Sequence, residues 1–164
     1  MAAKYAAKAG SKVILLEEHS CVGWPVECAG LLGEKAMQES ERCRGTAALQ
    51  GMRGATVFSP GGFQLRLKAA DCRAWVVDRR LFDRSMALDA LQSGAELRLR
   101  SSVRKAVWNG DHRTLTLAGG ELIQAKIVIS AEGVRARLAR SAGISPPRRF
   151  FLSRVVQAVM PLIG

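Results

Sequence analysis

The spacing of apolar and polar positions changes several times along the chain, and each change predicts an element. Residues 2–9, AAKYAAKA, are strong helix formers, and Gly10 supplies a C-terminal stop. Lys12 then leads into the continuous apolar run Val13-Ile14-Leu15-Leu16, closed by Glu17-Glu18. A short run rich in branched residues predicts a strand buried on both faces, as in a parallel sheet. Helix, glycine and buried strand form the second half of a βαβ unit. A first strand with its glycine turn is expected ahead of this helix and is not in the sequence.

Residues 20–32 read as a loop carrying Gly23, Pro25, Cys28 and Gly30, and 33–42 as a short polar helix. Residues 55–59 and 63–68 alternate apolar with polar around Pro60-Gly61-Gly62, which predicts a hairpin. A short strand is predicted over 74–77, and Asp78 is placed to cap a helix running through Leu91 to the Ser93-Gly94 stop. Strands are expected over 95–100 and 103–108, and a second hairpin pairs 112–117 with 121–129 across Ala118-Gly119-Gly120. The stretch 126–131, KIVISA, is again apolar on both faces and predicts a buried strand ending at Glu132-Gly133. An Arg-rich helix over 134–141 follows, then the Pro146-Pro147 break and a further strand over 150–160. No internal repeat or low-complexity segment interrupts this order. The chain is expected to be cut at both ends.

Composition narrows the class. The 164 residues are 48% hydrophobic, enough for a packed core, which excludes wholesale disorder. No apolar run reaches the ~18 residues of a membrane-spanning helix. The opening MAAKYAAKAGSK lacks the apolar centre of a signal peptide, so a cytoplasmic location is expected. The 4 cysteines and 2 histidines show neither zinc-site nor disulfide-framework spacing, so free thiols and no metal are expected.

The 25 Lys and Arg outweigh 14 Asp and Glu, for a formal charge of +11. The cations are spread out, as at Arg79-Arg80, Arg135-Ala136-Arg137 and Arg148-Arg149, and aromatics are only 5%. That distribution argues against a nucleic-acid binder, which concentrates charge and interleaves aromatics. A solvated Arg-rich surface is the plain reading, and attraction to anionic headgroups the sharper one.

Three places could carry chemistry. Glu17 ends the apolar run where, in a dinucleotide fold, a carboxylate accepts both ribose hydroxyls; a plain surface Glu ending a strand is the other reading. The loop Gly23-Trp24-Pro25-Val26-Glu27-Cys28-Ala29-Gly30 has small residues that let a cofactor ring or phosphate approach the backbone, though Cys28 is equally a small buried hydrophobe. The Glu132-Gly133 turn leads from a strand into a helix, where backbone N–H groups can hold phosphate, or it is an ordinary turn.

The blocks KVILLEEHSCVGWPVECAG, AWVVDRRLFDRSMALDALQSGAEL and AKIVISAEGVRARLARSAGI, in that order, resemble the geranylgeranyl reductase family of flavoproteins. That family includes the archaeal digeranylgeranylglycerophospholipid reductases and shares the para-hydroxybenzoate-hydroxylase-like FAD fold. The resemblance implies an α/β, Rossmann-like three-layer FAD-binding domain lacking its first strand. This domain would span residues 1–145, with a hairpin insertion around 52–70, and 146–164 would begin an antiparallel substrate-domain sheet. It implies that Glu17 holds the FAD ribose and that Cys28, Ala29 and Gly30 line the flavin, with Cys28 near the reacting isoprenoid. Arg79 would contact the cofactor, Val103 would bond the adenine through its backbone, and Glu132-Gly133 would stand where the family has Asp-Gly.

The implied activity is that of an FAD-dependent oxidoreductase reducing isoprenoid double bonds of a lipid or another apolar prenyl substrate. Electrons would come from NAD(P)H or ferredoxin, and the protein would work in the cytoplasm with peripheral membrane contact. The family's GxGxxG turn is not in this sequence, and the segments that complete the FAD site and the substrate domain would lie beyond Gly164. A fragment of a longer flavoenzyme is therefore expected. A flavin monooxygenase or quinone-tail reductase on the same fold is the alternative, and a basic non-catalytic binding module or a non-functional remnant is the alternative of another class.

Overall fold

The computed structural model describes residues 1–40, 45, 47–133 and 136–144. It divides into two compact units, Met1–Arg100 and Ser101–Gly164, each taken by itself below.

In the first unit, α1 (Ala2–Lys8) ends where Gly10, at φ +83°, turns the chain in a left-handed step. That turn leads to β1 (Ile14–Leu16), which pairs in parallel with β7 (Glu96–Arg98), Ile14 opposite Glu96 and Leu16 opposite Arg98. The parallel pairing expected of the apolar run is present. Its burial is not: Ile14, Leu15 and Leu16 are only half-buried, because among the described residues β1 has a single neighbouring strand.

A three-stranded antiparallel sheet follows, in the order β2 (Leu31–Gly33), β6 (Ala74–Val77), β3 (Ala48–Met52). The first of these strands corrects the loop expected through Leu32, because Leu31 and Leu32 pair with Val76 and Trp75. The helix expected over 33–42 is α2 (Glu34–Glu39), and Met37 on it is fully buried. The Trp75 indole N–H donates to the Glu34 carboxylate and ties α2 to the sheet.

The hairpin forms as expected from β4 (Gly54–Phe58) and β5 (Gln64–Lys68), with every strand residue exposed. After β6, the Asp78 carboxylate accepts the N–H groups of Arg80 (2.9 Å) and Leu81 (3.2 Å) and starts α3 (Arg79–Gln92). Ala87 and Ala90 on α3 are buried, as are Ala47, Val77 and Ala95. Alanine dominates this core, which lets α1 and α3 approach closely. Between them the Lys4 ammonium and Asp89 carboxylate meet at 2.9 Å, both buried.

The second unit is an antiparallel meander of β8 (Val103–Trp108), β9 (Arg113–Leu117) and β10 (Leu122–Ala125), in the sheet order β10-β9-β8. Leu115 and Leu117 of the middle strand are its buried residues. Trp108 and Arg113 stand opposite one another, with the guanidinium 4.2 Å from the ring centroid.

Here one expectation fails. The strand expected to continue to residue 129 stops at Ala125, and 126–131 is not a strand. Ile127 and Ile129 are 82% and 69% exposed. An apolar run becomes a buried strand only when neighbouring strands take its backbone groups, and among the described residues none does. The Arg-rich helix is present as α4 (Arg137–Ser141). The strand expected over 150–160 and the substrate-domain segment 146–164 lie outside the described residues. No helix among the described residues is long and apolar enough to cross a membrane.

Candidate functional site

The β1–β7 pairing fixes Glu17. Its backbone N–H donates to the Arg98 carbonyl (2.9 Å), extending the ladder one residue past the strand. The carboxylate therefore projects from the carboxyl end of β1, where open α/β sheets bind their ligands. Its Oε1 accepts the His19 backbone N–H at 2.9 Å and lies 2.7 Å from His19 Nδ1. Oε2 takes no partner among the described residues, and the side chain is 30% exposed. His19 thus orients the carboxylate while an acceptor edge stays open. A diol is the kind of group such an edge can take.

The glycine-rich loop folds back at two points, onto the start of α3 and onto the end of β6. A Cβ on Gly23 (φ +78°) would stand 3.0 Å from the Arg80 Cα. A Cβ on Gly30 (φ +75°) would stand 2.3 Å from the Val77 carbonyl oxygen, an overlap no side chain could relieve. That close approach is held by the Val77 N–H, which donates to the Gly30 carbonyl at 2.8 Å. Just before Gly23, the Val22 carbonyl accepts the Arg84 Nε–H (3.3 Å).

The fold thereby brings Cys28, Gly30 and Arg79 together. The Gly30 N–H points at Cys28 Sγ (3.5 Å), and the Arg79 guanidinium lies near enough to the same sulfur to interact with it electrostatically. Arg79 is also clamped by Asp83, with Nη2 at 2.9 Å and 3.0 Å from the two carboxylate oxygens and Nε at 3.2 Å. Desolvation works against the Arg79 charge, but Asp83 and then Cys28 more than offset it and hold its pKa above the ordinary value. Ala29 sits exposed between half-buried Cys28 and buried Gly30. The cluster is a fixed cation beside a thiol, on a backbone too tightly laid to move freely.

Val103, Glu132 and Gly133 belong to the second unit. Val103 opens β8 opposite Leu117, at a register shift that leaves the ladder irregular before Lys105. The Glu132 carboxylate spans the first turn of α4, accepting the N–H groups of Arg137 (2.7 Å), Leu138 (2.8 Å) and Ala139 (3.0 Å), and the Ser130 hydroxyl (2.8 Å). Burial pushes its pKa up, but the bonds from Leu138, Ala139, Ser130 and Arg137 outweigh that and hold it below the usual carboxylate range. The amides that the strand–turn–helix pattern would offer to a phosphate are satisfied here by the protein's own carboxylate. Gly133 (φ +67°) has open space where a Cβ would stand.

Two partners escaped sequence reasoning. Asp83 follows Arg79 by one helical turn, so an i, i+4 ion pair was legible once the helix start was placed. The role of His19 beside Glu17 had no signal, because an i, i+2 contact forms only when the chain bends after the strand.

An α/β chain with a parallel strand pair, a helix capped at the sheet edge and a glycine loop laid against that helix has the architecture of the Rossmann-like flavoprotein fold. The solved structures bear this out. A flavoprotein/dehydrogenase from Cytophaga hutchinsonii matches 92% of this chain and 40% of its own, with a TM-score of 0.68 at 22% identity. More particularly, a geranylgeranyl bacteriochlorophyll reductase-like protein from Thermoplasma acidophilum superposes on 87% of this chain with a TM-score of 0.74 and 26% identity, covering 38% of its own length. In sequence, the digeranylgeranylglycerophospholipid reductase of Methanocella arvoryzae is 32% identical over 152 residues, 88% of this chain. The chain is thus related over most of its length to the geranylgeranyl reductases, as its three sequence blocks imply. It spans 39% of the length of that Methanocella relative. No protein-family profile matches it.

Proposed function

We propose that this chain is part of an FAD-dependent oxidoreductase of the geranylgeranyl reductase type, acting on the isoprenoid double bonds of a lipid or related prenyl substrate. The observation that carries this reading is the approach of Cys28 and Gly30, in a loop whose sequence resembles the family's, to Arg79 at the start of α3. The relatives' names and the shared fold support it.

The residues suit the group. Glu17 presents an oriented carboxylate with one open oxygen, as a ribose requires. Arg79, fixed by Asp83, offers a permanent cation beside the loop for the cofactor's acidic part. Cys28 and Ala29 stand on the loop that would line the flavin, with Gly30 locked behind them. Val103 and Glu132-Gly133, in the second unit, are assigned to the adenine and to the family's Asp-Gly by the resemblance alone. FAD supplies the hydride chemistry when bound, with NAD(P)H or ferredoxin as the source of electrons.

What this chain's residues would do is orient and protonate. Arg79 would act as a fixed positive charge near the Cys28 sulfur. Cys28 would then be the thiol near the flavin and the reacting isoprenoid, and a candidate proton donor there. Residues 1–145 would form the cofactor portion, with the hairpin as an insertion, and 146–164 would lead into the substrate domain. Cytoplasmic location with peripheral membrane contact fits a lipid substrate.

Titrating the purified chain with FAD tests the reading. We expect a rise in melting temperature that grows with FAD concentration, together with quenching of flavin fluorescence. Unchanged melting and fluorescence up to saturating FAD would overturn the assignment of Glu17 and Arg79 as cofactor contacts of this chain.

A further inference from the structure

Just past β1 the chain bends so that His19 meets Glu17 twice. The His19 backbone N–H donates to Glu17 Oε1 at 2.9 Å, and the ring Nδ1 lies 2.7 Å from the same oxygen. A carboxylate oxygen accepts about two hydrogen bonds, so His19 by itself fills Oε1. The acceptor capacity left on Glu17 is that of Oε2. One residue therefore decides which oxygen of the carboxylate is spent inside the protein and which is offered outward.

The backbone around the pair is pinned at both ends. The Glu17 N–H donates to the Arg98 carbonyl and the Arg100 N–H to the His19 carbonyl, each at 2.9 Å. Arg100 makes its bond from the left-handed region, at φ +53°, which a residue with a Cβ enters only at a cost. Backbone of this kind persists where surrounding contacts over-determine it, and such places collect at ligand sites. The bend is thus a built feature and not a frayed strand end. Stability does not account for it, because an exposed pair such as Glu17 and His19 adds little to folding. Orientation does, since a glutamate free to rotate loses affinity in becoming ordered on a ligand.

We propose that His19 is a positioning residue for ribose recognition, filling Glu17 Oε1 with its backbone and ring so that Oε2 alone accepts from the ribose diol of FAD. The inference rests on the flavin reading of this chain. It differs from a grip in which each carboxylate oxygen takes one hydroxyl, because Oε1 is already occupied.

FAD titrations followed by flavin fluorescence, with ring nitrogen NMR on the histidine-labelled full chain, test it. His19→Ala is expected to weaken FAD binding about fivefold, the worth of one hydrogen bond, and to leave the urea midpoint nearly unchanged. His19→Asn keeps an N–H close to the position of Nδ1 and returns affinity to within about twofold of the parent. In a Glu17→Ala background His19→Ala has no further effect, because the carboxylate it orients is gone. In the NMR spectra Glu17→Gln shifts the His19 ring nitrogens and leaves those of His112, which sits 2.6 Å from Asp111, unmoved. A His19 ring indifferent to Glu17→Gln overturns the proposal whatever FAD does. So does a folded His19→Ala that binds FAD like the parent or more tightly, and the flavin reading then stands on the parent's own binding. A parent that takes no FAD, with the ring coupling intact, overturns the cofactor role of Glu17 and this proposal with it.

Discussion

The Lys4 ammonium lies 2.9 Å from the Asp89 carboxylate, and both side chains are buried between α1 and α3. Helices lined by alanine have little apolar surface with which to hold each other, so this ion pair is the specific contact that sets their register. Removing one partner strands the other charge in a poorly solvated place. Asp89→Ala is expected to cost about 3 kcal/mol, whereas Lys4→Met with Asp89→Leu recovers most of that loss. Urea unfolding of the two variants and the parent measures both.

Gly30 and Gly133 both have positive φ but differ in what surrounds them. At Gly30 a methyl group would run into the Val77 carbonyl at 2.3 Å, while at Gly133 it would meet open space. Gly133→Ala should therefore cost only about 1 kcal/mol of backbone strain. Gly30→Ala should cost clearly more and separate the loop from the end of β6. Comparison of urea midpoints, with Cys28 alkylation rate as a reporter of loop opening, checks the contrast.

The Glu132 carboxylate has a pKa held below the usual range, with the amides of Leu138 and Ala139 among the causes. A group with a depressed folded pKa stabilises the structure above its unfolded value and loses that contribution as pH falls through the folded value. The start of α4 should therefore be fully protected above the ordinary Glu value of 4.5 and should loosen as pH drops below it. Glu132→Gln should flatten this dependence. Amide exchange at Leu138 and Ala139 against pH is the measurement.

Cys28 and Glu17 should separate chemistry from binding. Cys28→Ala is expected to slow double-bond reduction in the flavin-loaded enzyme by at least about tenfold, while leaving FAD affinity nearly unchanged. Glu17→Ala is expected to weaken FAD binding by about tenfold, the loss of one good charged hydrogen bond. FAD titrations and single-turnover reduction rates on the same preparations distinguish the two.

Much of the fold was legible along the chain because its signals are local. The stop at Gly10, the cap at Asp78 and both glycine-bearing hairpin turns depend on residues a few positions apart, and each appears where the pattern places it. Glu17 was legible for the same reason, since it ends an apolar run. The pairing of Leu31 and Leu32 with β6 was not, because their partners lie more than forty residues away.

By itself, then, the sequence determined the alternation of elements, the caps, the turns and the resemblance to the geranylgeranyl reductases, all of which reside in short windows of residue order. Tertiary structure decided what depends on neighbours. It set the thiol of Cys28 against Arg79, turned the Glu132 carboxylate onto the amides of α4, and gave Lys4 a buried counter-charge. It also decided the stretch 126–131, where an apolar pattern suited to a central strand stays exposed among the described residues. Periodicity records which faces a segment can bury. Burial itself requires a second surface to supply hydrogen bonds and exclude water, and that is a property of the assembled fold.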